Sequence, residues 1–306
     1  MCVRAGIGGI LVLLALGVAA CGDGSSDADA RIRATKPVTL VAAGDIACHA
    51  DEPRTAQTCR QADVADIIER LDPDVVAPLG DTQYPDGELE DFEESYDPTW
   101  GRFMERTRPA VGNHEYNTPG AAGYYEYFGR RAGSPDEGWY SYELGDWHVV
   151  VLNTNCDVID CEPDSEQQRW LEDDLAEHDA RCTLAYWHHP RFSSGPHGSD
   201  DIFEPLWETL QEADAELVLS GHDHAYERFA PQDADGELDR EDGIPQFVVG
   251  TGGASRYPAE EREPNSLVHS TSFGVLELTL DADGYAWRFV GEPGDDFRDA
   301  GRTRCR

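Results

Sequence analysis

Lysine is almost missing from this sequence. Lys36 is the only one in 306 residues, and 24 Lys+Arg stand against 61 Asp+Glu, for a formal net charge of −37. A protein that grips nucleic-acid phosphates or anionic lipid through its own surface needs a basic footprint, and this chain has no basic-aromatic patch to supply one. No Cys-x-x-Cys pair occurs, so a zinc ribbon or a thioredoxin-like site has no support. No internal repeat and no second shift of composition follow residue 36, which leaves room for one large domain. Past residue 20 no apolar run is long enough to suggest a membrane span.

What is present points to a folded, exported protein. Apolar residues make up 40%, with seven Trp, twelve Tyr and ten Phe, so the acidity is not that of a disordered chain. Arg4 followed by the apolar stretch Ala5 to Ala20 reads as an export signal over residues 1–20. It ends Val18-Ala19-Ala20-Cys21, which resembles a lipobox, where cleavage precedes a cysteine that carries lipid. Residues 21–36, small and polar, read as a flexible tether, and 37–306 as one folded domain. The expected location is therefore extracytoplasmic, as a cell-membrane lipoprotein or a secreted protein. Six further cysteines, an even number, suit disulfides in an oxidising compartment. Spacing does not select among their pairings, although loop closure favours Cys48–Cys59 and Cys156–Cys161, which leaves Cys182–Cys305.

The apolar pattern predicts an α/β fold. Val38 to Ala43 and Asp74 to Leu79 read as strands, and between them Gln61 to Leu71 has helical apolar spacing at Val64, Ile67, Ile68 and Leu71. Strand, helix, strand implies parallel neighbours with their carboxyl ends together. Further strands are expected at Trp147 to Leu152, Leu184 to Trp187, Leu217 to Ser220, Gln246 to Val249 and Gly274 to Leu280. Helices are expected at Glu166 to His178 and Asp201 to Ala213.

Apolar runs that read as strands, Pro109-Ala110-Val111 among them, repeatedly end in Asp, Asn or His. The segments are Gly44-Asp45, Gly80-Asp81-Thr82-Gln83-Tyr84, Gly112-Asn113-His114-Glu115 after Pro109-Ala110-Val111, His188-His189-Pro190, and Gly221-His222-Asp223-His224. Ligands of open α/β sheets sit beyond the carboxyl ends of strands, so these side chains should converge. Carboxylate, amide and imidazole together suit transition or related divalent metals rather than calcium. The glycine before Asp45, Asp81, Asn113 and His222 reads as the residue that lets the chain turn sharply. Any one segment could be an ordinary turn. Five in order, each after an apolar stretch, are hard to obtain by chance.

These segments resemble the motif blocks of the calcineurin-like metallophosphoesterases. Tyr84 and the tail Tyr226-Glu227-Arg228 resemble the purple acid phosphatase branch. The resemblance implies a four-layer α/β/β/α sandwich with two metals at one edge. Carried over, Asp45, Tyr84 and His224 would hold one metal, ferric iron in the family, and Asn113, His188 and His222 a divalent one such as Fe, Zn or Mn. Asp81 would bridge them. It implies hydrolysis of phosphate monoesters, with hydroxide held by the two metals as nucleophile. Phosphodiesterase or nucleotidase chemistry on the same centre is the alternative. His114 and His197 are the candidates for contacting phosphate or protonating the leaving group. His189 reads as a support, and Glu115 as a partner that orients a histidine. His49 reads as a surface residue beside a disulfide, and His148, His178 and His269 as structural or solvated. Gly250-Thr251-Gly252-Gly253 reads as a tight turn. The expected partner is a small phosphate ester, with no nucleic acid and no membrane contact beyond the lipid anchor.

Overall fold

Twelve strands and five α-helices position the site, and a computed structural model describes them over residues 36–306 except 179, 259 and 260. The expected signal segment, Cys21 and nearly all of the tether lie outside the described residues. The strands are β1 Val38–Ala43, β2 Val75–Pro78, β3 Tyr140–Leu144, β4 Trp147–Val151, β5 Cys182–Tyr186, β6 Leu217–Ser220, β7 Tyr226–Phe229, β8 Gln246–Val249, β9 Ser266–Ser270, β10 Gly274–Asp281, β11 Gly284–Gly291 and β12 Ala300–Arg304. The helices are α1 Gln61–Leu71, α2 Leu89–Asp91, α3 Ala122–Phe128, α4 Glu166–Glu177 and α5 Glu204–Glu212. One sheet has the order β12-β11-β10-β1-β2 and the other β3-β4-β5-β6-β8-β7-β9.

Period-two alternation builds the layers. In β4, β5, β6 and β8, Val149, Val151, Leu184, Tyr186, Leu217, Leu219, Phe247 and Val249 enter one core with residues of β1 and β10. Their alternates Val150, Ala185, Val218 and Val248 enter a second core with Leu171 of α4 and Leu206, Trp207 and Leu210 of α5. On the far side Val64, Ile67 and Ile68 of α1 cover the five-stranded sheet, which completes four layers. The predicted α1 has the observed limits, Gln61–Leu71, because its apolar face is unambiguous. β1 and β2 pair in parallel, as a strand–helix–strand unit requires.

Two expectations fail locally. Pro109-Ala110-Val111 is not a strand; its segment touches β2 only through isolated bridges, Val76 with Thr107 and Leu79 with Ala110. Asp201 to Ala213 is not one helix, because a 3₁₀ turn at Asp201–Phe203 precedes α5, with Pro205 in its first turn. The disulfides are Cys48–Cys59, Cys156–Cys161 and Cys182–Cys305, the set that loop closure favours.

Candidate metal centre

β1 and β2 from one sheet, and β5 and β6 from the other, end at the same edge. Their loops are laced together there. Gly44 N–H donates to Val249 O at 2.9 Å across the sheets, and Ile46 N–H and Ala47 N–H donate to Asp81 O and Thr82 O at 2.9 and 3.1 Å. Gly80 (φ 82°) turns as the sequence suggests, and the other three glycines do not. Gly44, Gly112 and Gly221 have no positive φ; a Cβ there would come within 2.9 Å of Leu79 O, 2.2 Å of Asp81 N and 2.8 Å of Asp45 Oδ2. The left-handed turns fall on the next residues, Asp45 (φ 60°) and His222 (φ 71°), and also on Asp81 (φ 45°). Glycine permits close approach, and the functional residue itself carries the turn.

The seven side chains expected at the metals form two groups that share Asp81. In the first, the Tyr84 hydroxyl lies 3.0 Å from Asp45 Oδ1, 2.9 Å from Asp81 Oδ2 and 3.0 Å from His224 Nε2. In the second, His188 Nε2 lies 3.0 Å from Asn113 Oδ1, 3.3 Å from Asp81 Oδ1 and 3.2 Å from His222 Nδ1. Asp45, Asp81 and His188 are fully buried or nearly so, whereas Tyr84, Asn113 and His222 are half-buried at the mouth. The floor is closed and the rim is open.

Donor chemistry tests whether cations fit. The Tyr84 hydroxyl has one proton for the two carboxylate oxygens that face it, with His224 Nε2 beside them. His188 Nδ1–H donates to Leu79 O at 2.8 Å, which leaves Nε2, with one proton at most, facing two oxygens and another imidazole nitrogen. Both groups have too many acceptors for their protons, as a cation site requires. Titration follows the same charge. Burial pushes the Asp81 carboxyl up, but His188 and His114 outweigh it and hold it well below the carboxylate range. Burial disfavours the charged His188, yet Asp81 more than offsets this and raises it to about 9. His222 is driven well below the imidazole range by burial and by its neighbours His188 and His189. Burial, then Asp45 and Asp81, raise the Tyr84 phenol.

The family of this arrangement can now be stated. Residues 38–226 match the family model described as calcineurin-like phosphoesterase. The chain belongs to this family. Purple acid phosphatase 15 of Arabidopsis thaliana is 29% identical over 324 residues, covering 90% of this chain and 58% of its own length. Purple acid phosphatase PPD1 from yellow lupin seeds superposes with a TM-score of 0.73 at 21% identity, covering 88% of this chain and 54% of that one. The chain thus spans little more than half the length of these relatives and stands on the purple acid phosphatase side of the family. The same fold also describes GAP50, the anchor in the inner membrane complex of Plasmodium, with a TM-score of 0.65, 14% identity and coverage of 89% of this chain and 90% of that one. Fold alone does not assign a function; the side chains of the site do.

Around the two groups the structure sorts the remaining candidates. His114 Nδ1 lies 2.6 Å from Pro85 O, and Nε2 points inward, 3.9 Å from Asp81 Oδ2. The exposed His197 ring lies 4.1 Å from that of His222. His189 bonds Thr154 Oγ1 at 3.0 Å and packs 4.4 Å from the His222 ring, a supporting position. His49 is on the surface side of its disulfide, 3.3 Å from Asp91. Glu115 orients no histidine. Fully buried, it accepts N–H bonds from Asp81, Thr82, Gln83 and Gly112, so it ties the Asp81–Tyr84 loop to the Asn113 loop. Gly250-Thr251-Gly252-Gly253 is a packed turn, with Gly252 N–H donating to Gly44 O at 2.8 Å.

Three residues escape sequence reasoning. Tyr257 stacks on His224 at 4.0 Å and 7°, and Ser255 Oγ bonds His224 Nδ1 at 2.6 Å. Asp223 accepts the Ser193 hydroxyl and His197 N–H and so anchors the His197 loop. Asp223 lies between two flagged histidines, which is the only signal available; Ser255 and Tyr257 lie in an ordinary loop.

Proposed function

We propose that the protein is a metal-dependent phosphoric ester hydrolase that cleaves phosphate monoesters at a binuclear centre. One observation carries this reading: the two oxygens of Asp81 face two separate groups of donors, each short of protons. Asp45, Tyr84, His224 and one Asp81 oxygen would hold ferric iron; Asn113, His188, His222 and the other oxygen would hold a divalent Fe, Zn or Mn. When bound, such a pair supplies Lewis acidity toward phosphoryl oxygens and an acidified water.

The chain's own residues do the rest. His224 is held by Ser255 and Tyr257, and His188 by Leu79 O, so their donor nitrogens are fixed before substrate arrives. In hydrolysis a water oxygen bonds to phosphorus, the ester P–O bond breaks, and the departing alkoxide takes a proton. His114 Nε2, at the half-open rim and 3.9 Å from Asp81 Oδ2, would hold that proton, with the exposed His197 as the second candidate. Three disulfides support an extracytoplasmic location, and lipidation of Cys21 would anchor the protein to the outer face of the membrane. Cys21→Ala should then move the protein from the membrane fraction to the medium; retention in the membrane would contradict the anchor.

The deciding experiment compares a phosphate monoester with a diester on metal-quantified protein. Monoester turnover by protein carrying about two metals is expected. Equal or faster diester turnover would assign a phosphodiesterase or nucleotidase instead. Tyr84→Phe should abolish a visible charge-transfer band; a colourless active wild type would rule out ferric iron at that position.

A further inference from the structure

Beside the second group of donors lies a cavity of about 480 Å³, walled by Asn113 and His189 on the site's side. That volume suits a small organic group. Among the described residues four large hydrophobics are exposed, and two of them, Val158 (55%) and Ile202 (40%), line this cavity. Neither is on a loose loop. Val158 N–H bonds Asn155 O at 2.9 Å inside the small loop closed by Cys156–Cys161. Ile202 lies in the 3₁₀ turn capped by Asp200, whose Oδ1 accepts Ile202 N–H at 3.0 Å. Phe203 stacks on His189 at 6.1 Å and 26°, so an apolar wall runs from the ligand loop outward.

The polar lining is already engaged. Asn117 Nδ2 donates to Pro85 O at 3.1 Å, Asn155 Nδ2 to Asn153 Oδ1 at 2.8 Å, and Thr154 Oγ1 contacts His189. Among the described residues no lysine or arginine lines the cavity, and its ionic side chains at the rim are the carboxylates Asp157 and Asp200. A second phosphate on the substrate would meet those two anions with no cation to offset them. A hydroxyl-rich leaving group would find free acceptors only in those two solvent-exposed carboxylates at the rim, whereas an apolar one would cover Val158 and Ile202.

We propose that this cavity is the leaving-group pocket and that it selects phosphate monoesters of uncharged, apolar alcohols over polyol and polyphosphate esters. The inference rests on the hydrolase reading and deepens it. Benzyl phosphate and glycerol 2-phosphate both release an alcohol, so comparing them isolates the pocket. The expected kcat/KM ratio favours benzyl phosphate by about tenfold or more, with ATP slowest of the three. Val158→Asp and Ile202→Asp should each cut that ratio several-fold. Non-hydrolysable phosphonates give a reading independent of turnover: benzylphosphonate should bind metal-loaded protein more tightly than methylphosphonate in calorimetry. A ratio near one, a ratio unmoved by both variants, or equal phosphonate affinities would overturn the pocket. Absence of hydrolysis with the phosphonate preference intact would overturn the hydrolase reading and leave the pocket standing.

Discussion

At the ends of β5 and β6, His188 Nε2 faces two oxygens and a second imidazole nitrogen, so its single proton cannot serve all three. On β4 and α4 the same residue types meet differently. His148 is buried with Nδ1 2.8 Å from Glu143 Oε1 and Nε2 2.7 Å from Asp174 Oδ2, and its ring stacks on His178 at 4.2 Å. There each nitrogen has its own carboxylate, so one protonated imidazole satisfies the whole set. Both are histidine–acid clusters within reach of a metal by distance alone. The difference is stoichiometric. A cluster with matched donors and acceptors is a strut; one with surplus acceptors calls for a cation.

The contrast can be broken most directly by removing one residue from each cluster. Asp81→Asn should lose both metals and hydrolysis to background while still folding; metal analysis and turnover check this, and retained loading would remove the bridging role. His148→Ala should do the reverse, with metal content per folded molecule unchanged and stability lowered by about 3 kcal/mol in denaturant titration, because it strands a buried carboxylate. If it lost metal instead, the strut assignment would fall. Glu115→Gln tests the tie between the loops and should weaken metal affinity by about 10–100-fold; an unchanged affinity would reduce Glu115 to packing.

A pH scan sharpens the same comparison. Burial disfavours charged His148, but Asp174 and Glu143 outweigh it and raise its pKa above 6.5. A raised folded pKa means that its stabilisation is whole below the unfolded value and lost as pH climbs through the folded one. The Tm gap between wild type and His148→Ala should therefore narrow on the alkaline side; a gap that widened with pH would exclude the charged strut. The smallest effect is expected from Tyr257→Leu, which removes a ring contact worth about 1 kcal/mol and should reduce metal affinity only a few-fold.

Much of this was legible in the sequence where apolar runs are bounded by glycine. β1 and β6 were read with their observed limits, and β8 likewise, since each is a short buried run. β9 and β12 were not, because Ser266–Ser270 and Ala300–Arg304 are polar and partly exposed, and their pairing with β7 and β11 decides them. The seven side chains expected at the metals are brought together because each follows a strand end or bridged segment at one edge. Ser255, Tyr257 and Asp223 act through the orientation of a neighbour, which leaves no periodicity to read. Glu115 was noticed but given the wrong partner; its hydrogen bonds go to backbone, and spacing carries no record of backbone contacts. The tail Tyr226-Glu227-Arg228 is structural: Tyr226 and Arg228 both bond Asp299, and Glu227 accepts from Ser194.

Cys182–Cys305 joins the first residue of β5 to the penultimate residue of the chain, 123 positions away. His188, His197, His222 and His224 all fall inside the resulting covalent ring. A protease that cuts once anywhere within the ring opens it without releasing a fragment, and the severed ends remain attached to the same molecule. In the proposed extracytoplasmic hydrolase, three of the seven expected metal ligands would thus be carried on a loop that a single nick cannot detach.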